Sequence, residues 1–242
     1  MLKHPLVTVL SASALLLSAC GGGGGDSTVN TAEGLWQGTS SSGAKVTVVV
    51  LENGEAWGGA TDGNSVVSAL AGTASGNGTS FNASGSEFYF SSNTVSSGSY
   101  SGTVSQRQRI QATNPSTGNT IDLAYSASYD QPVTASDIAG SYTLSGRTAK
   151  YSITNLPVSI AADGSFTVFD RGCTTKGSAT PRSASKSIVN VTATETGTCV
   201  LGDGVSLSGI AYLDKTTTPN TLYIIALNSA KSDGLVLVGP KN

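Results

Sequence analysis

The chain has 242 residues, of which 13 are basic, 15 acidic, one is histidine and three are cysteine, and only 12% are charged. Losing the first nineteen residues, as argued below, removes Lys3 and His4 and leaves 12 basic against 15 acidic groups, a net charge of −3. That balance argues against nucleic acid as a partner, and a mature chain without histidine excludes Ser-His-Asp and Cys-His catalysis along with His-ligated zinc.

In chain order, Met1 to Ala19 carry Lys3, an apolar run through Leu6, Val7, Val9 and Leu10, and a second one at Leu15-Leu16-Leu17. This is a short targeting segment rather than a membrane span. Leu17-Ser18-Ala19-Cys20 resembles the lipobox of bacterial lipoproteins. The resemblance implies that residues 1–19 are a signal peptide and that Cys20 is the lipid-attachment site, bearing palmitate-type acyl chains as the first residue of the mature chain. It places the protein in a Gram-negative cell envelope, and Gly21 in place of Asp implies the outer membrane, facing the periplasm or the cell surface. Residues 20–33, with Gly21 to Gly25 at their start, read as a flexible tether of roughly 15–20 Å r.m.s. span for about ten residues.

Residues 34–132 read as an N-terminal β lobe. Lys45 to Leu51 is rich in valine, and Asn53-Gly54 behind it signals a hairpin of type I′, with Ala56-Trp57-Gly58 returning. Such a two-residue turn sets Glu52 opposite Glu55, a pair that points into water or converges on a groove as a cation or sugar contact. From Ser65 to Phe90 the glycines predict short strands, with Phe88 and Phe90 on one face and Glu87 and Tyr89 on the other. Tyr100 to Ala112 reads as one strand, turning at Asn114 to Asn119 and returning from Ile121 to Tyr129. Tyr129 to Pro132 forms a junction.

Residues 133–242 read as a C-terminal β lobe. Gly140-Ser141-Tyr142 and Asp163-Gly164 echo Gly34-Leu35-Trp36 and Asn53-Gly54, which suggests two related lobes. Tyr223 to Leu227, Leu235 to Val238 and Val46 to Leu51 are apolar on both faces, so they need cover on both sides. The fold class expected is all-β and antiparallel, two packed lobes or small barrels with up-and-down meanders, and no long helix in the mature chain. With Cys20 assigned to lipid, Cys173 and Cys199 remain as a pair in an exported chain and are expected to form a disulfide. Two cysteines without nearby histidine make a poor zinc shell, and no cofactor is implied.

Charge is uneven: residues 21–106 hold one basic and six acidic groups, residues 107–186 eight basic and five acidic. Solvated faces are the plain explanation; the alternative is an anionic envelope polymer meeting the middle segment. Glu52, Glu55, Asp62 and Glu87 are the carboxylates available to a glycosidase, and Trp36, Trp57, Tyr100 and Tyr142 the aromatics available to a binding surface, although aromatics beside glycines usually pack a core. The Gly-x-aromatic start on a tethered β body is similar to calycin-type and transferrin-binding-protein-like surface lipoproteins. The expectation is therefore a non-enzymatic, membrane-anchored envelope lipoprotein binding a ligand, protein partner or envelope polymer through its β domain. The alternatives are a periplasmic inhibitor of a lysozyme or protease, and a carrier with an apolar cavity lined by residues such as Val48, Ile225 and Leu237. A carboxylate-dependent glycosidase ranks below these.

Overall fold

The computed structural model describes residues 30–63, 65–148 and 150–242; Cys20, with the signal segment and the tether up to residue 29, lies outside them. Strands β1 (Gly34–Ser40), β2 (Lys45–Val50), β3 (Glu55–Asp62), β4 (Ser65–Asn77), β5 (Ser80–Tyr89), β6 (Thr94–Ser105), β7 (Arg109–Thr113) and β8 (Thr120–Tyr125) pair each with the next. β8 then returns to β1, with Tyr125 opposite Trp36, and closes an antiparallel barrel. A 3-10 turn (Ala127–Asp130) and the single-turn helix α1 (Ala135–Ile138) lead into the second barrel. Its strands are β9 (Gly140–Thr148), β10 (Ser152–Ile160), β11 (Ser165–Asp170), β12 (Cys173–Pro181), β13 (Ile188–Gly197), β14 (Ser206–Asp214), β15 (Thr221–Asn228) and β16 (Gly234–Pro240). β16 closes on β9. The fold is thus all-β, two up-and-down barrels of eight strands, and closure removes the free sheet edges that would invite aggregation.

Three local expectations change. The segment from Tyr100 to Ala112 is two strands, because Arg107 adopts φ +55° and Gln108 N–H bonds Ser105 O at 3.0 Å. A turn built on glutamine and arginine carries none of the usual turn residues, so the alternation on either side reads as continuous. Conversely, Gly72, Gly76 and Gly85 do not break strands, and only Gly78, at φ +60°, sits in a turn: β4 runs for 13 residues and β5 for 10. Gly72 sits where a Cβ would lie 2.1 Å from the Ser84 carbonyl, so glycine there admits a close neighbouring backbone instead of ending the strand. Residues 30–33, assigned above to the tether, are part of the first barrel. The Asn30 side chain donates to Ala74 O and accepts from Gly76 N–H, and Ala32 is fully buried.

The echo between the halves is structural. In the first barrel Trp36 Nε1 donates to Ala32 O at 2.7 Å; in the second Tyr142 Oη donates to Ile138 O at 2.8 Å. All four residues are fully buried, so each barrel is plugged at one end by the segment just before its first strand, stitched to an inward aromatic. The hairpins correspond as well. Gly54 N–H bonds Leu51 O and Gly164 N–H bonds Ala161 O, both at 2.9 Å, while Gly54 O and Gly164 O accept from Ala74 N–H and Ala179 N–H, both at 2.8 Å. Of Asn53 and Gly54 only the glycine has positive φ, so this is a four-residue turn with a glycine bulge and not type I′. Leu51 rather than Glu52 therefore faces Glu55.

Strand parity divides the apolar residues between three places. Val46, Val48 and Val50 point into the first barrel, and Leu222, Ile224 and Leu237 into the second. The opposite faces form a layer between the barrels: Leu35, Val49, Leu51, Phe88 and Phe90 from the first meet Ile188, Ile210, Tyr212, Ile225 and Leu227 from the second. Phe88 and Phe90 share this face as alternation predicts, with their rings edge to face at 5.2 Å. The rim is ionic. Arg182 pairs with Glu52 at 2.8 Å, and Lys186 bridges Asp130 at 2.7 Å and Glu33 at 3.5 Å while lying over the Tyr129 ring. The Arg182 guanidinium holds the Glu52 carboxyl below the usual range. Phe88→Ala should cost about 3–5 kcal/mol of unfolding free energy, because the ring is almost wholly enclosed between two rigid barrels; an equilibrium denaturation showing less than about 1 kcal/mol would contradict this interface.

Candidate functional site

Each barrel encloses a cavity on the inward side of its strands, and the two differ in chemistry. The first, about 340 Å³, is lined by Val48, Phe81 and Leu123 and opens toward Ser42, Asn114 and Thr117. Its interior carboxylate is satisfied: Glu87 Oε1 accepts from Ser68 Oγ at 2.5 Å and Glu87 Oε2 from Tyr89 Oη at 2.7 Å. Tyr100 lines the same space, its hydroxyl pushed up by burial and by the Glu87 charge.

The second cavity is larger, about 490 Å³, and its walls include Leu144, Val158, Val191, Leu207, Ile224 and Leu237. One end is closed by Ile138 and Tyr142. The opposite end, where β9–β10, β11–β12 and β13–β14 are joined, carries Tyr151, Phe169 and Val200 on the cavity wall. These three stand among the few large apolar side chains left in water, with Phe169 75% exposed. They stand beside Asn155, Asp170, Arg171 and Thr198, so the mouth mixes apolar and polar groups above an apolar interior.

The wall of this barrel has a weak seam. β10 and β11 share a single register pair, Ile160 with Phe166, whereas the ladders β11–β12 and β12–β13 run for six and nine pairs. On its other side β10 pairs with β9 through a bulge between Ile153 and Leu156, with Asn155 at φ +52°, and Pro157 has no N–H to contribute. Ile153, Leu156, Val168 and Phe169 from the two separated strands all line the cavity.

Near the open end stands Glu195, the residue the sequence reading did not single out. Alternation along β13 points Val189, Val191, Ala193 and Glu195 inward, and Glu195 is 7% exposed. Its Oε2 is buried without a hydrogen-bond partner. Burial is the main cause raising its carboxyl above the ordinary value, with Asp233 adding like-charge repulsion and the Leu201 N–H opposing them. An unsatisfied buried acceptor costs roughly 1–3 kcal/mol, a local penalty that a hydrogen-bond donor at this oxygen would remove. The only sequence signal was a charged residue at an inward parity in Ile188 to Thr196, and that parity is legible only once the barrel's inside is known.

Cys173 and Cys199 form the expected disulfide at this same end, their Cα atoms 4.6 Å apart. It ties the start of β12 to the loop after β13 across 26 residues, worth about 3–4 kcal/mol on loop-entropy grounds. The two sulfurs and a Glu195 oxygen lie within 4.8 Å of one another, but sulfurs bonded to each other are not thiolate ligands for a metal.

The other candidates do not gather into a site. Glu52 is taken by Arg182, Glu55 accepts weakly from Trp57 Nε1, Asp62 is exposed, and Glu87 is bonded inside the first barrel. Trp36 and Tyr142 are buried stitches, Tyr100 faces the first cavity, and Trp57 packs beside the layer between barrels. Of the expected cavity residues, Val48 and Leu237 line the two cavities while Ile225 faces the neighbouring barrel, one residue out of phase with Ile224. In the basic middle segment Arg107, Arg109, Arg171, Arg182 and Lys186 are in ion pairs, which disperses the positive patch.

No protein-family model, no curated protein and no solved structure matches this chain.

Because the Glu195 carboxyl is raised in the folded protein, the fold binds that proton more tightly than the unfolded chain does. Stability from this group is full below the ordinary glutamate value and is lost as pH rises through the raised one. Glu195→Gln should therefore gain stability relative to wild type between pH 4 and pH 8, in urea unfolding at the two pH values; an equal difference at both would show that the carboxyl is not perturbed.

Proposed function

We propose that the protein is a membrane-anchored envelope lipoprotein, non-enzymatic, whose second barrel binds a small apolar molecule in its interior. The cavity of about 490 Å³ carries this reading: it falls in the size range of small-molecule sites, has mainly apolar walls, and opens at the end that carries Tyr151, Phe169 and Val200, beside a weak seam. The anchor rests on the lipobox residues Leu17-Ser18-Ala19-Cys20 and on the glycines that follow, which support attachment to the outer membrane. A barrel held near a bilayer by a short tether works at the place where apolar molecules are concentrated.

A neutral fluorescent probe, N-phenyl-1-naphthylamine, should bind the purified protein saturably at one site. Ala193→Trp, which fills the cavity, should weaken binding at least tenfold, whereas Ala83→Trp in the first barrel should not, both variants being checked by thermal melts. Absence of saturable binding, or weakening only by Ala83→Trp, would remove the cavity as the site. For the anchor, Cys20→Ala should move the protein from the membrane to the soluble fraction or arrest its maturation, and an unchanged distribution would refute lipidation.

A further inference from the structure

We infer that the second barrel's ligand carries a protonated amine at one end of an apolar body, and that Glu195 receives it. This rests on the cavity reading above and goes further by assigning the headgroup. The two barrels differ in how each treats its inward glutamate. In the first barrel both oxygens of Glu87 are occupied by hydroxyl donors of the protein itself, so that carboxylate is complete. In the second, Glu195 lines the chamber and its Oε2 is enclosed and left without a donor. Polar groups buried this deeply are almost always hydrogen-bonded, and one that is not marks a place for a partner outside the chain.

Charge decides what kind of donor fits. Asp233 faces Glu195 from the β15–β16 loop and adds to the negative potential. On the cavity wall near the same end, Arg171 and Asp170 pair with each other at 3.7 Å and offset one another. The disulfide beside Glu195 contributes no charge. A ligand carboxylate or phosphate would meet repulsion here, a neutral hydroxyl would satisfy the oxygen alone, and an ammonium group would satisfy the oxygen and neutralise the charge. The remainder of the chamber, from Ala193 and Leu207 down to Leu144 and Leu237, is hydrocarbon and suits an alkyl or fused-ring body. The exposed Phe169 and the β10–β11 seam give such a body an apolar way in.

The test is a calorimetric titration of the mature protein at neutral pH with decylamine, 1-decanol and decanoate, each below its micellar limit, alongside displacement of the neutral naphthylamine probe. Decylamine should bind most tightly, at least tenfold better than decanoate, with decanol between them. In Glu195→Gln the preference for amine over decanoate should shrink to within threefold, while Glu195→Asp, which keeps the charge, should retain part of it. Decanoate binding as well as decylamine, or a preference unchanged in Glu195→Gln, would overturn the assignment of the headgroup while probe binding left the cavity reading standing. Failure of the probe and all three decyl compounds to bind would overturn both.

Discussion

Strands that are apolar on both faces impose the architecture. In Val46 to Leu51, Tyr223 to Leu227 and Leu235 to Val238, the residues of one parity have to leave water on one side and their neighbours on the other. Closing each sheet into a barrel covers the first set, and laying one barrel against the other covers the second. Neither solution suffices alone: an isolated barrel would expose Phe88, Phe90, Ile210 and Leu227, and an open pair of sheets would leave unpaired edges. The ion pairs of Glu52, Arg182, Glu33, Asp130 and Lys186 lie at one end of this layer and fix its alignment more than they add energy, since such partly exposed pairs are individually weak.

Much of this was legible in the residues. Valine-rich runs, the Gly-x-aromatic starts and the paired hairpin signals pointed to antiparallel meanders in two related halves, and the cysteine pair to a disulfide. What escaped did so for local physical reasons. Arg107 occupies a left-handed turn position that normally advertises itself by glycine or asparagine. Gly72 and Gly85 looked like interruptions because a sequence does not reveal which strand will press against them. Glu195 was hidden by parity: the alternation in Ile188 to Thr196 is plain, but which parity faces inward depends on where eleven other apolar residues of that core come from, and several lie more than 40 positions away.

The repeated stitch, Trp36 to Ala32 and Tyr142 to Ile138, gives two copies of one scaffold and so a comparison within a single molecule. Both copies have a plugged end, an open end and an inward glutamate. In the first copy the open end is lined by serine, threonine and asparagine and the carboxylate is fully bonded. In the second the open end sets Tyr151, Phe169 and Val200 among Asn155, Asp170, Arg171 and Thr198, is braced by a disulfide, and leaves Oε2 of its glutamate without a donor. The second copy also carries the one-pair seam. Features that depart from the shared plan cluster in one barrel and at one of its ends, which is why that end, and not the better-satisfied first barrel, is the place to look for recognition.

Docking through outer faces has a consequence for how such a molecule can change over evolutionary time. The residues that hold the two barrels together and the residues that shape either interior belong to opposite parities of the same strands, as Ile224 and Ile225 show side by side. Substitutions inside one barrel therefore need not disturb the shared contact, nor the contents of the other barrel. A duplicated chain arranged in this way can keep one copy as a conservative support and let the other drift in shape and polarity, acquiring new selectivity without renegotiating the assembly that keeps it folded.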